Sequence, residues 1–182
     1  MAALKTLHPL FITELKDLLD AEHQLTRALP WLMKSAESDD LRSALEEHLD
    51  ETEGHVERLT GAFDALGERA SAKTCAGMRG IVKEAEEDLR QDAEGPVRDA
   101  AIIGAAQKAE HYEIAAYGTA RTHAMRLGFS EVAQILGQTL REEKRADKKL
   151  TEIAEGQVNP QALEDATGAA ARGGAPSGAR RR

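Results

Sequence analysis

The segment from Glu68 to Gly95, ERASAKTCAGMRGIVKEAEEDLRQDAEG, decides how the rest of the chain is arranged. At about thirty residues it is too long for a hairpin turn, and Met78, Ile81, Val82, Ala85 and Leu89 recur in it at helical spacing. It reads as a crossover carrying a short helix of its own. The flanking regions each read as a pair of long helices with a brief link. An up-down-up-down bundle has no need of so long a connection, so the expectation is an all-α four-helix bundle of two antiparallel hairpins joined by a long crossover with an extra helix.

The punctuation of the four long helices supports this reading. The first is expected from about Leu7 to Leu29, with Pro9 tolerated in its first turn and Pro30 ending or kinking it. The second is expected from about Asp39 to Leu66. Ser38 can cap it, Asp39 and Asp40 suit the positive end of its dipole, and Gly67 fits the left-handed residue after its last turn. Its length implies a rod of about 40 Å. The third opens near Pro96 and closes at Gly128. The fourth opens after Ser130, with Glu131 in its first turn, and closes at Gly156.

Composition bounds the protein class. The 182 residues carry 24 Lys+Arg against 32 Asp+Glu, a formal charge of -8, and only 3% are aromatic. An apolar share dominated by Ala and Leu favours helix over sheet. No stretch approaches the roughly 18 to 20 apolar residues of a membrane span, and Met1 to Pro9 lacks the apolar core of a signal peptide, so a cytoplasmic protein is expected. A lone cysteine, Cys75, excludes an internal disulfide framework. Residues 156–182 turn to Gly, Ala, Pro and Ser and read as a flexible tail after a helical domain of residues 1–155. The tail holds four Arg against Glu164 and Asp165, which leaves -10 on the domain. Such a domain repels phosphate backbones, and three terminal arginines neutralise too few phosphates to hold duplex DNA, so no stable nucleic-acid binding is expected.

The chemistry lies at the centre of the apolar stripes, located with about 100° of rotation per residue. On the first helix Phe11, Leu15 and Leu18 are followed by Glu22, then Leu25 and Leu29. On the third, Ile103, Ala106, Glu110, Ile114 and Tyr117 share a line, with Glu113 flanking it. On the fourth, Glu143 and Asp147 interrupt a line running from Val132 through Leu136 and Leu140 to Leu150 and Ala154. On the second, His48, Thr52 and His55 lie among Leu41, Leu45 and Leu59, with Glu51 at the edge. An unpaired carboxylate in a core costs several kcal/mol, so four helices making such a substitution at similar height point to a bound cation. Oxygen-rich ligands with imidazole suit two ions, iron ahead of manganese. The usual Glu-x-x-His spacing is absent. His55 stands four residues after Glu51 and His48 three before it, which leaves open which imidazole binds; His55 is the first choice and His48 the second.

Several segments carry a family resemblance. They are Leu18 to Leu25, Ala28-Leu29-Pro30, His48 to Thr52, Thr74-Cys75-Ala76-Gly77-Met78, Ala106 to Ala115 with its Glu110-His111-Tyr112-Glu113-Ile114-Ala115 block, and Glu142 to Leu150. Over nearly the whole helical region, Leu7 to Ala154, the chain resembles the YciE/YciF-type ferritin-like, rubrerythrin-like proteins of bacteria. The resemblance implies a homodimer and an association with stress responses. It also puts metal carboxylates at Glu22, Glu51, Glu110, Glu113, Glu143 and Asp147. The function expected from the buried acids and imidazoles is that of a di-iron or di-manganese oxidoreductase meeting a small oxidant or electron donor; the alternative is a metal-free dimeric scaffold of the stress response.

Overall fold

The computed structural model describes residues 5–91 and 93–164. Among these residues the chain is helical without strands, in the order α1 (Leu7–Ser35), α2 (Asp39–Ala65), α3 (Ala76–Leu89), α4 (Gly95–Arg126) and α5 (Ser130–Ile153). The Ser38 hydroxyl accepts the Leu41 N–H at 3.3 Å and opens α2. Gly67 and Gly128, at φ 66° and 84°, take the left-handed residue that stops α2 and α4.

Two helix ends differ from expectation. α1 does not stop at Leu29 but runs through Pro30 to Ser35. Proline deprives the Thr26 carbonyl of its helical partner, yet beyond it Leu32 is buried, and that burial offsets the missing bond. α5 does not close at Gly156. It passes into one wider π-turn, Ala154–Val158, and continues as helix to residue 164. The turn leaves Val158 1% exposed in the same apolar cluster as Ile102, which explains why the chain holds on past the glycine. The remainder of the expected tail, residues 165–182, lies outside the described residues.

α1 packs on α2, α2 on α5, α5 on α4 and α4 on α1, a ring in which every neighbour is antiparallel; α3 lies against α1 and α4. α2 and α4 run the same way, so the chain must return along the length of the bundle between them, and the crossover does this. It is pinned to α1 on the way. Asp20 accepts the Cys75 N–H at 2.8 Å, the Gln24 amide donates to the Cys75 carbonyl at 3.1 Å, and the Cys75 sulfur caps α3 by accepting from the Met78 N–H. At the other joint Asp99, buried in the first turns of α4, accepts the Glu37 and Ser38 N–H groups at 2.8 Å each.

The core is in two parts. One cluster, the aromatic half, is built around Phe11, Leu15, Leu59, Phe63, Tyr117 and Leu136. The other, the crossover half, is built around Leu25, Leu29, Leu41, Leu45, Met78, Ile102 and Leu150. Between them lies a buried polar layer of Glu22, His48, Thr52, His55, Glu110, Glu113, Thr139 and Glu143.

Candidate metal centre

Each ring helix delivers its part of this layer because the polar residue sits in register with the leucines or alanines on either side of it along the buried face. α1 supplies Glu22, α2 His48 and His55, α4 Glu110 and Glu113, and α5 Glu143. One ligand-type atom from each of His48, Glu110, Glu113 and Glu143 falls within 4.8 Å of all the others. The same holds for Glu22, His55 and Glu143. Glu143 belongs to both groups. The His48 Nε2 lies 3.1 Å from Glu110, and the His55 Nδ1 lies 2.9 Å from Glu143 and 3.4 Å from Glu22.

The layer is short of hydrogen bonds. Both oxygens of Glu113 and of Glu143, one oxygen each of Glu22 and Glu110, and the Nδ1 atoms of His48 and His55 have no aligned partner. Buried polar atoms are nearly always satisfied, so a concentration of orphans at one height marks a place that could hold a cation. Four carboxylates with two imidazoles form an oxygen-rich donor set with some nitrogen, which fits iron or manganese and does not resemble a thiolate zinc site.

Without an ion, protons hold the charge in check. Burial, reinforced by the neighbouring carboxylates, pushes Glu110 and Glu113 well above the usual carboxylate range. Burial also raises Glu22, although His55 opposes it. Burial alone would strip the proton from His55, but Glu143 and Glu22 against its ring reverse this and hold it up to about 10. The two histidines keep Glu143 below its ordinary value in spite of its burial.

Two outer carboxylates steady the imidazoles. Glu142 meets the His55 Nε2 at 3.0 Å and is itself gripped by both terminal nitrogens of Arg58. This leaves the His55 Nδ1 facing the centre, the arrangement in which a carboxylate orients a ligating histidine. Glu51 stands 3.9 Å from the His48 Nδ1 and is paired with Arg145, a looser counterpart of the same device. The Tyr117 hydroxyl donates a hydrogen bond to Glu22.

Of the residues singled out from the sequence, Glu22, His55, Glu110, Glu113 and Glu143 come together in the layer, joined by the second choice, His48. Glu51 and Asp147 are outside both groups. Glu51 faces the α2/α5 seam with Arg145, while Asp147 accepts from Gln107 at 3.1 Å and meets His111 at 3.3 Å. Glu113, expected at the edge of its stripe, is fully buried, and Ile114, expected at the centre, is only half-buried. The roles of Glu142 and Arg58 had no signal in the sequence. Tyr117 had one, since it lies two turns from Glu110 on the same face.

An all-helical bundle with a buried carboxylate and imidazole layer is thus the class that the structure defines. The chain belongs to the family described as a domain of unknown function, DUF892, which residues 6–163 match. It is 42% identical over 160 residues to protein YciF of Escherichia coli K12, covering 87% of this chain and 96% of that protein. The crystal structure of the E. coli stress protein YciF matches with a TM-score of 0.82 at 43% identity, over 85% of this chain and 98% of that one. YcfI from Rhodopseudomonas palustris matches with a TM-score of 0.81 at 40% identity, over 82% and 96%. Among the described residues no helix is long and apolar enough to cross a membrane.

Proposed function

We propose that this chain is a ferritin-like di-metal carboxylate protein, with iron ahead of manganese, acting as an oxidoreductase toward dioxygen or peroxide in a stress response. The observation that carries the reading is the set of orphaned, buried carboxylate and imidazole atoms shared among four helices at one height. One ion would be held by Glu22, His55 and Glu143 and the other by His48, Glu110, Glu113 and Glu143, the residue Glu143 belonging to both groups. Bound there, a pair of such ions supplies one-electron redox chemistry to a small oxidant.

The chain's own residues prepare the site. Glu142, held by Arg58, fixes the His55 ring so that Nδ1 points inward. Tyr117 orients one Glu22 oxygen and leaves the other free for an ion. The two apolar half-cores exclude bulk water from both sides of the layer. The stress context is supported by the description of E. coli YciF as a stress protein. The protein is proposed to work as a homodimer in the cytoplasm, without stable nucleic-acid contacts; light scattering at twice the chain mass checks the first of these.

The test is metal analysis of protein purified from cells grown with iron and manganese. About two ions per chain are expected, and less than one removes the proposal. Added Fe(II) or Mn(II) should raise the melting temperature of the metal-free protein by several degrees.

A second reading, a metal-free dimeric scaffold, is favoured by one observation: the His55 imidazolium and the protonated glutamates can balance the layer's charge by themselves. Glu110 and Glu113 have folded-state values above their unfolded value of 4.5, and so has His55 above its 6.5. Their contribution to stability is full below the unfolded values and is lost as pH rises through the folded ones. The metal-free protein should therefore lose stability from about pH 5 upward. On the scaffold reading, added metal leaves that pH profile unchanged; on the di-metal reading, it flattens the profile.

A further inference from the structure

The outer seam between α4 and α5 holds an open groove of about 720 Å³ in which two guanidinium groups meet. Arg121 extends from α4 across Gly137 of α5, and Arg141 reaches the same glycine from one turn further along α5. A methyl group on Gly137 would stand 3.1 Å from the Arg121 Nε and 3.8 Å from the Arg141 Nη1, so the bare glycine is what lets Arg121 lie there. Where arginines elsewhere bridge two helices they face an acid, as Arg58 faces Glu142 and Arg145 faces Glu51. Arg121 and Arg141 have no ion pair or hydrogen bond among the described residues, and Glu131, the one carboxylate in the lining, pairs with neither. Two positive charges thus converge on one residue of a chain whose formal charge is -8.

We propose that this groove binds the phosphate dianion of a small organic phosphomonoester. The proposal goes beyond the di-metal reading and does not rest on it. Arginine forks match phosphate oxygens with paired N–H donors, and a phosphomonoester carries about -1.5 to -2 at pH 7, a charge that two guanidinium groups balance. A lone carboxylate would satisfy only one of them. The groove is too large for bare phosphate, and its volume falls in the range of about 300 to 1,000 Å³ usual for sites of small organic ligands. Beyond the arginines the wall changes character. Met125, one turn after Arg121 and 56% exposed, and the half-buried Ile135 offer apolar surface to the body of the ligand, while Gln134 supplies a further amide donor. A nucleic-acid backbone is a poorer fit, because its phosphates are singly charged diesters and the surrounding domain carries -10.

The probes are phenyl phosphate, inorganic phosphate and benzoate, each titrated calorimetrically into the full chain at about 150 mM salt, where general attraction between charges is screened. Phenyl phosphate should bind with a Kd below about 1 mM. Inorganic phosphate should bind about tenfold more weakly for want of the apolar body, and benzoate about tenfold more weakly for want of the second charge. Arg121→Gln and Arg141→Gln should each weaken phenyl phosphate by about tenfold or more. Arg126→Gln, which removes the same charge from α4 outside the groove, should leave its Kd within about twofold of wild type. All three side chains are exposed, so each variant should melt as wild type does. Absence of phenyl phosphate binding overturns the proposal. So does binding unaffected by both groove variants, the sign of phosphate held at the polar layer or by the Arg-ended tail. Benzoate binding as tightly as phenyl phosphate overturns the phosphate assignment, and inorganic phosphate binding as tightly overturns the organic body. Should wild type bind no phenyl phosphate while Arg121→Glu or Arg141→Glu dissociates a dimer in light scattering, the groove belongs to a second copy of the chain and the proposal falls.

Discussion

The two apolar halves on either side of the polar layer are made by the same four helices yet filled differently. In the aromatic half, the rings of Phe11, Phe63 and Tyr117 are fully buried between the helices. In the crossover half, leucines alternate with alanines, and α3 adds a fifth wall in place of side-chain bulk. The difference teaches that a polar layer in a bundle need not be sealed alike on both faces. Rings close one face, while small residues under a crossing helix cover the other.

The largest effect expected is at the seam between the halves. Glu143→Ala removes the one residue common to both ligand groups, so metal analysis should find both ions lost, while Asp147→Asn keeps both. Retention of both ions in the Glu143 variant would break the comparison at its centre. Within the halves, urea denaturation should show Phe63→Ala costing about 3 to 5 kcal/mol and Leu32→Ala about 2 to 5 kcal/mol, toward the low end because the alanine-rich half can collapse around the gap. A loss at Leu32 greater than that at Phe63 would erase the distinction between a ring-filled and an alanine-relieved core. A smaller effect separates the two imidazoles. Glu142→Gln, beside the firmly held His55, should weaken metal binding about 10- to 100-fold, and Glu51→Gln, beside the looser His48, by less, as read by metal titration. The smallest concerns the turn at the far end of the crossover half, where Ser38→Ala, removing the cap of α2, should cost about 1 kcal/mol in a thermal melt.

The fold was legible wherever a local signal governs it. Ser38, Gly67, Pro96 and Gly128 mark helix ends through backbone chemistry that needs no distant partner, and the periodicity of Met78 and Ala85 shows the buried side of α3. Pro30 misled because its cost is local while the compensation, the burial of Leu32, is tertiary. On α4 the stripe was misplaced toward Ile114 because that helix packs on α1, α5 and α3 together and has no single apolar face. Glu113 could have been centred only by knowing where α3 lies. At the site, the acids in the leucine lines of α1 and α5 were plain. The Arg58–Glu142 and Arg145–Glu51 pairs were not, since they join residues 84 and 94 positions apart and nothing in a helix stripe names a partner on another helix.

Asp99 carries a consequence for the order in which the chain assembles. Its carboxylate satisfies two amides at the α1/α2 joint from a distance of about sixty residues. The first hairpin can form from near-neighbour contacts, but its turn leaves those two N–H groups to water until the second hairpin docks. Docking is thereby coupled to completion of the turn, and the joint acts as a late latch in folding. Asp99→Ala should leave the refolding rate nearly untouched and speed unfolding several-fold, the kinetic mark of a contact made after the transition state.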